Sequence, residues 1–274
     1  MILKNFLGIN KVSNQSQVIK MWNEEFHINK IIKDIKFIHI GKCGGTSIMN
    51  YLLRNRVFLD EYHLKKPPLN EKIQYFMWVR DPVSRFISAF NHLKEIVEFP
   101  IEMIDNPLKL TLKDCPAPGK IINKCKKGFA FSKTLDEAIM KFDNADDLIS
   151  SLHSTNKSLR FSAESIMNSN YEHIKKGIAW YLHKGKFIEK NHHKFLMVGR
   201  IETFKEDLNI LLKGLNLEPY ESEPHLRKSK IRTENKISEI SKKYLIKNYL
   251  AEDYYCLELL KEKSLIKDYS QKII

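Results

Sequence analysis

The chain is poor in residues that could cross-link it. Its four cysteines, Cys43, Cys115, Cys125 and Cys256, form no C-x-x-C pair in 274 residues, which argues against a disulfide framework or a zinc site. Cys115 and Cys125 flank a Pro/Gly/Lys-rich loop and would be bridged only in an oxidising compartment. No run approaches the ~18 apolar residues of a membrane span. The opening MILKNFLGINKVSNQS has too short an apolar core, broken by Asn10 and Lys11, for a signal peptide, so a cytoplasmic location is expected. Acidic residues are in deficit, 33 against 46 Lys and Arg, and the net charge of +13 should attract anions: a polyphosphorylated cofactor, an acidic or sulfated glycan, nucleic acid or a membrane. With 43% hydrophobic and 11% aromatic residues a core is assured, and the length suits one large α/β domain or two small ones.

What is present is concentrated in two stretches. In KFIHIGKCGGTSIMNYLL, Phe37 to Ile40 reads as a short buried strand, Gly41 to Gly45 as a tight glycine turn, and Thr46 to Leu53 as a helix start. A strand, glycine loop and helix in that order make an anion site. Glycine lets the backbone approach a ligand, the first-turn N–H groups lack intrahelical partners, and the helix dipole adds positive potential. Lys42 adds a full charge, and Thr46 and Ser47 add hydroxyls. The order of residues excludes a magnesium-nucleotide P-loop, whose lysine follows the last glycine; here Lys42 precedes Gly44 and Gly45. Cys43, beside Lys42 at a helix N-terminus, is in a setting that favours a thiolate.

The second stretch is IQYFMWVRDPVSRFISAFNHLKEI. Ile73 to Val79 has the continuous apolar character of a central parallel strand. Asp81 and Pro82 are an N-cap and first helical residue, and Phe86, Phe90 and Leu93 recur at helical spacing. Arg80 then lies at the carboxyl end of a strand and Ser88 in the following helix. Ligands of open α/β sheets bind there, and an arginine and a serine so placed can hold a phosphate. Taken singly, Arg80 and Arg85 read as surface ion-pair residues.

These two stretches resemble the 5′-phosphosulfate loop and the 3′-phosphate motif of sulfotransferases that use 3′-phosphoadenosine 5′-phosphosulfate (PAPS), in the branch related to carbohydrate sulfotransferases. VGRIETFKEDL, Val198 to Leu208, is similar to a strand-and-helix segment late in that family. Where the family usually has proline before the lysine and often threonine after it, this chain has Gly41 and Cys43. The resemblance implies a P-loop-like three-layer α/β fold with a central parallel sheet: an arm over residues 1–30, then one domain over 31–274, with 95–194 a largely helical insertion on the acceptor side. It implies that Gly41, Lys42, Cys43, Gly44, Gly45, Thr46 and Ser47 hold the 5′ side of the cofactor, with Lys42 at the bridging oxygen and sulfuryl group. Arg80 and Ser88 hold the 3′-phosphate, and no metal is needed. Related enzymes place the base after the first helix, where His63 lies 21 residues beyond Lys42, with Glu61 as runner-up. A histidine with pKa near ~6.5 can accept an alcohol proton at neutral pH. The acceptor implied is a saccharide. Arg227 and Lys228, in EPHLRKSKIRTEN, read either as a solvated basic turn or as the late loop that closes over the nucleotide.

The remaining chain is less specific. Residues 99–134 are rich in proline and lysine and read as a long loop. Thr134 with Glu137 signals a helix start, and helices are expected between Asp147 and Lys194, near Phe204, and from about Glu234 to Lys263. His183, His192 and His193 read as solvated rather than metal-ligating. Two rival functions stay in view: a P-loop-type ATP-dependent kinase or NTPase using Asp81 for magnesium, and a non-catalytic anion- or nucleic-acid-binding protein. The second would need exposed aromatics on a basic stripe, whereas those around Arg80 fall on buried faces.

Overall fold

A computed structural model describes residues 30–98, 133–221 and 237–266. Four parallel strands, β1 (Lys30–Ile38), β2 (Val57–Glu61), β3 (Gln74–Val79) and β4 (Phe195–Arg200), form one sheet in the order β2-β1-β3-β4. Helices flank it in the three-layer arrangement: α1 (Gly45–Arg54) between β1 and β2, α2 (Pro82–Glu98) after β3, then α3 (Lys133–Ile139), α4 (Ala145–Ser151) and α5 (Lys157–Met167). Three short helices follow, α6 (Glu172–Lys175), α7 (Ile178–Tyr181) and α8 (Lys186–Asn191), before β4. The chain continues through α9 (Phe204–Gly214), α10 (Glu239–Leu245), one π turn and α11 (Ala251–Glu262).

The apolar run predicted as a central strand is one. Tyr75 to Val79 are all buried in β3, with partners on both sides. β1 is longer than its apolar signal: it starts at Lys30 rather than Phe37 and ends at Ile38. Its first residues pair only with β2, because β3 joins at Ile35 opposite Gln74, so polar residues are tolerated on that overhang. The sheet core gathers Phe37, Ile38, Ile48, Leu52, Phe76, Trp78, Tyr181, Phe187, Leu208 and Leu260. A second apolar cluster, built on Phe86, Phe90, Leu93, Ile139, Leu148 and Ile166, packs α2 against α3, α4, α5 and α10. The stretch expected as helix from Asp147 to Lys194 is broken into short pieces, yet Ile174, Ile178, Tyr181 and Leu182 are all buried as their spacing suggested. The arm at 1–29, the loop at 99–132 with Cys115 and Cys125, and the basic loop with Arg227 and Lys228 lie outside the described residues, as does the side chain of Thr134.

The strand order places the site. β2 is laid to one side of β1 and β3 to the other, so the connections after β1 and β3 part at the carboxyl ends of adjacent strands, the switch point where open α/β sheets hold ligands. The glycine loop follows β1, and Arg80 follows β3.

Candidate active site

Between Ile38 and α1 the loop turns tightly. The Cys43 N–H bonds to the Ile40 carbonyl at 3.3 Å, and Gly44, with φ 75°, caps α1 in a left-handed conformation that glycine adopts freely. Lys42 has φ 70°. A non-glycine residue there costs about 1–3 kcal/mol and persists only where its surroundings hold it. Those surroundings are side chains pressed against glycines. A Cβ on Gly41 would lie 2.4 Å from His173 Nδ1, and one on Gly45 would lie 2.0 Å from the His39 ring. Thr46 and Ser47 open α1, both partly exposed.

Cys43 departs from expectation. Its side chain is buried, and burial pushes the thiol up to about 12, with the charges of Arg85 and Arg80 offsetting only part of this. The lysine and helix terminus do not make it a thiolate, because the side chain points into the core while the backbone forms the loop. Both arginines nevertheless exert their charge on the loop, the electrostatics an anion site needs.

Asp81 caps α2 as read from the sequence: its Oδ1 accepts the Ser84 N–H at 2.8 Å. Its Oδ2 accepts from the Tyr254 hydroxyl at 2.8 Å, and its N–H donates to Glu202 Oε1 at 2.9 Å. A carboxylate engaged in this way is a structural tie, not the open ligand that the magnesium-kinase reading asked of Asp81. Among the described residues no group of three or more His, Cys, Asp or Glu is arranged to hold a metal. His183 meets the Pro67 carbonyl at 2.8 Å.

Arg85 is the second departure. It is wholly buried rather than a surface ion-pair residue. Its Nη1 donates to the His173 carbonyl at 2.8 Å, and its Nε faces Asp253 Oδ2 at 3.8 Å. Asp253 reaches in from α11, where its Oδ1 accepts the Ala179 N–H at 2.8 Å. Asp81, Arg85, Ser88 and His92 recur at the helical spacing i, i+4, i+7, i+11, so α2 presents one polar stripe. That stripe faces the His173 segment, since Arg85 bonds to it and the His92 ring lies 5.5 Å from the His173 ring. Ser88 and Arg80 are partly exposed, Ser88 on the same stripe and Arg80 at the end of β3.

At the end of β2, Glu61 and His63 converge on a residue the sequence reading passed over. His39 is 5% exposed, and its Nδ1 lies 2.6 Å from Glu61 Oε2. The His63 ring packs 4.0 Å from the His39 ring, with His63 Nδ1 3.3 Å from the His39 carbonyl oxygen. A carbonyl only accepts, so in this contact His63 donates from Nδ1. His173 completes the row, 6.2 Å from His63. Its buried Nδ1 has no hydrogen-bond partner, and the residue as a whole is partly exposed. Burial, then the charges of His92, Lys42, His63 and Arg85, hold it well below the usual histidine range.

His39, Arg85, His173 and Asp253 were missed as site residues. His39 had a signal, a polar residue within an apolar strand run, and Arg85 had the helical stripe. The others had none, because their neighbours here are far away in sequence.

A cationic glycine loop and a strand-end arginine at the switch point of a parallel sheet define an α/β protein built to hold a phosphorylated ligand. The sulfotransferase family model matches residues 29–263, and the chain belongs to that family. No curated protein and no solved structure matches the chain significantly. Membership supports a sulfotransferase activity with a small-molecule nucleotide donor. Among the described residues no helix is long and apolar enough to cross a membrane.

Proposed function

We propose that the protein transfers a sulfuryl group from PAPS to a hydroxyl, or an amine, of a saccharide acceptor. The observation that carries this is that the Lys42 loop follows β1 and Arg80 follows β3, adjacent parallel strands whose connections part at the switch point of the sheet. The donor set fits a doubly phosphorylated nucleotide: glycine-loop backbone, one lysine, two hydroxyls on α1, and a second cationic centre at the end of β3. When bound, PAPS supplies the activated sulfuryl group and the phosphate that leaves with the nucleotide.

Thr46, Ser47 and the loop backbone hold the 5′ side, and Arg80 with Ser88 holds the 3′-phosphate. Lys42 offsets the charge that develops on the leaving phosphate. His63 takes the acceptor proton at Nε2, its Nδ1 being turned to the His39 carbonyl. Glu61, whose Oε2 lies 2.6 Å from His39 Nδ1, is the runner-up for the base. The protein works in the cytoplasm.

Calorimetry with 3′,5′-bisphosphoadenosine, without magnesium, tests the donor assignment. Wild type is expected to bind in the micromolar range and Arg80→Ala to bind about 2–3 kcal/mol more weakly, the scale of a lost charge-assisted contact. A wild type that ignores this nucleotide but takes up ATP with magnesium would overturn it.

A further inference from the structure

His63 is partly exposed, and its Nδ1 meets the His39 carbonyl at 3.3 Å, beyond the ~2.7–3.2 Å of a firm N–H···O bond. So long a bond lets the imidazole pivot about it. A general base has to lie within hydrogen-bond reach of the proton it takes, and a misplacement of about 1 Å can cost roughly 10²-fold in rate. The ring of His39 stands against that pivot. It lies 4.0 Å from the His63 ring at an interplanar angle of 35°, whereas the His173 ring is 6.2 Å away. The His39 ring is itself held at both edges. Its Nδ1 donates to Glu61 Oε2 at 2.6 Å, at the end of β2. The opposite edge fills the space that a side chain on Gly45 would need: a Cβ there would lie 2.0 Å from Cδ2 and 2.2 Å from Nε2. Phe37 stacks on the same ring at 5.2 Å.

We infer that the His39 ring, pinned by Glu61 and seated against Gly45, positions the His63 imidazole. This rests on the reading of His63 as the base. At 5% exposure His39 is too covered to meet an acceptor, so it is a positioning residue, and Glu61 acts on His63 through it. The seat has a signature in the protons. A carboxylate and a carbonyl both accept, so His39 and His63 each donate from Nδ1, and the bond made by one ring nitrogen sets the tautomer. A buried histidine that only filled space would leave the His63 tautomer alone.

Nitrogen-15 NMR of the histidine rings tests the seat, on the full chain at a pH about two units above the ordinary histidine pKa, where free rings are neutral and the two tautomers give distinct spectra. His63→Gln identifies the His63 signal by its loss. In wild type His63 should show a single Nδ1–H tautomer. His39→Asn, which keeps a side-chain N–H for Glu61 but has no ring, should turn that signal into a mixture of Nδ1–H and Nε2–H forms. Glu61→Ala, which removes the acceptor, should do the same, whereas Glu61→Gln retains an acceptor oxygen and should keep the wild-type spectrum. The double variant, His39→Asn with Glu61→Ala, should match His39→Asn alone, because Glu61 acts through His39. An unmoved His63 signal in His39→Asn or Glu61→Ala, a further change in the double variant, or mixed tautomers in wild type would overturn the inference. Should His39→Asn fold poorly, the Glu61 variants, at a partly exposed position, decide it. If His63→Gln transfers sulfuryl groups from PAPS to a mixture of plain mono- and disaccharides as fast as wild type, the base assignment alone sinks, and the spectra still decide the role of His39.

Discussion

The two regions that meet at the site do different work. Residues 37–88 supply the groups proposed to face a ligand, Lys42, Thr46, Ser47, His63, Arg80 and Ser88, all partly exposed. Residues 171–254 supply groups that grip those segments from behind: Tyr181 and Asp253 are buried, and His173 presses its buried Nδ1 on Gly41. Arg85 belongs to the first region by sequence and to the second by environment. Groups that bind an anion must be reachable, whereas groups that hold a strained loop act best where water cannot compete for their hydrogen bonds. The ligand-facing set therefore sits in two short motifs, and the bracing set comes from distant turns of chain.

The largest expected effect comes from breaking the brace. Asp253→Ala leaves Arg85 buried opposite no carboxylate and removes the acceptor of the Ala179 N–H. A destabilisation of about 3–5 kcal/mol is expected for loss of one partner of a buried ion pair, read by chemical denaturation. Lys42→Ala breaks the facing set instead. Release of nucleotide from PAPS should slow by roughly 10²–10³-fold, the scale for losing one charge-stabilising donor, while the denaturation midpoint should not fall. A midpoint that drops as far as for Asp253→Ala would erase the distinction between the two regions.

Tyr254→Phe sharpens the comparison at the boundary. It removes the 2.8 Å bond to Asp81 Oδ2 but leaves the Ser84 cap, so stability should fall by only about 0.5–1.5 kcal/mol. The smallest effect near neutral pH is that of His173. Its folded pKa is depressed, so the unfolded chain binds the proton more readily, and stability should decline as pH falls below ~6.5 toward the folded value. Replacement by Gln should flatten that limb of a denaturation-versus-pH curve, the groups facing it being His92, Lys42, His63 and Arg85.

Much of the fold was legible in the sequence because local signals and the tertiary outcome agree. The apolar run of β3, the Asp81–Pro82 helix start and the strand-loop-helix at Gly41–Gly45 each follow from a few adjacent residues, and the structure keeps them. Two readings failed for a common reason. Cys43 and Arg85 were judged by their sequence neighbours, a lysine and a helix terminus for one and a polar surface for the other. Both are buried, since their surroundings are set by His173, Asp253 and the sheet. Glu61 was read as a possible base because it shares a face with His63; its 2.6 Å contact with the buried His39 could not be read from that spacing.

The sequence by itself determined the parallel α/β character of the chain, the position of its cationic loop and the family to which it belongs. These depend on residue types at short fixed spacings, and the chain cannot express them in another order. Only the tertiary structure decided which polar groups are dry, which glycines carry a side chain on their backs, and which hydroxyl receives the Leu64 N–H beside His63. Those properties belong to contacts between residues more than a hundred positions apart, such as Tyr181 with Leu64 and Arg85 with Asp253. Burial and hydrogen-bond pairing come into being only when the sheet brings such residues together.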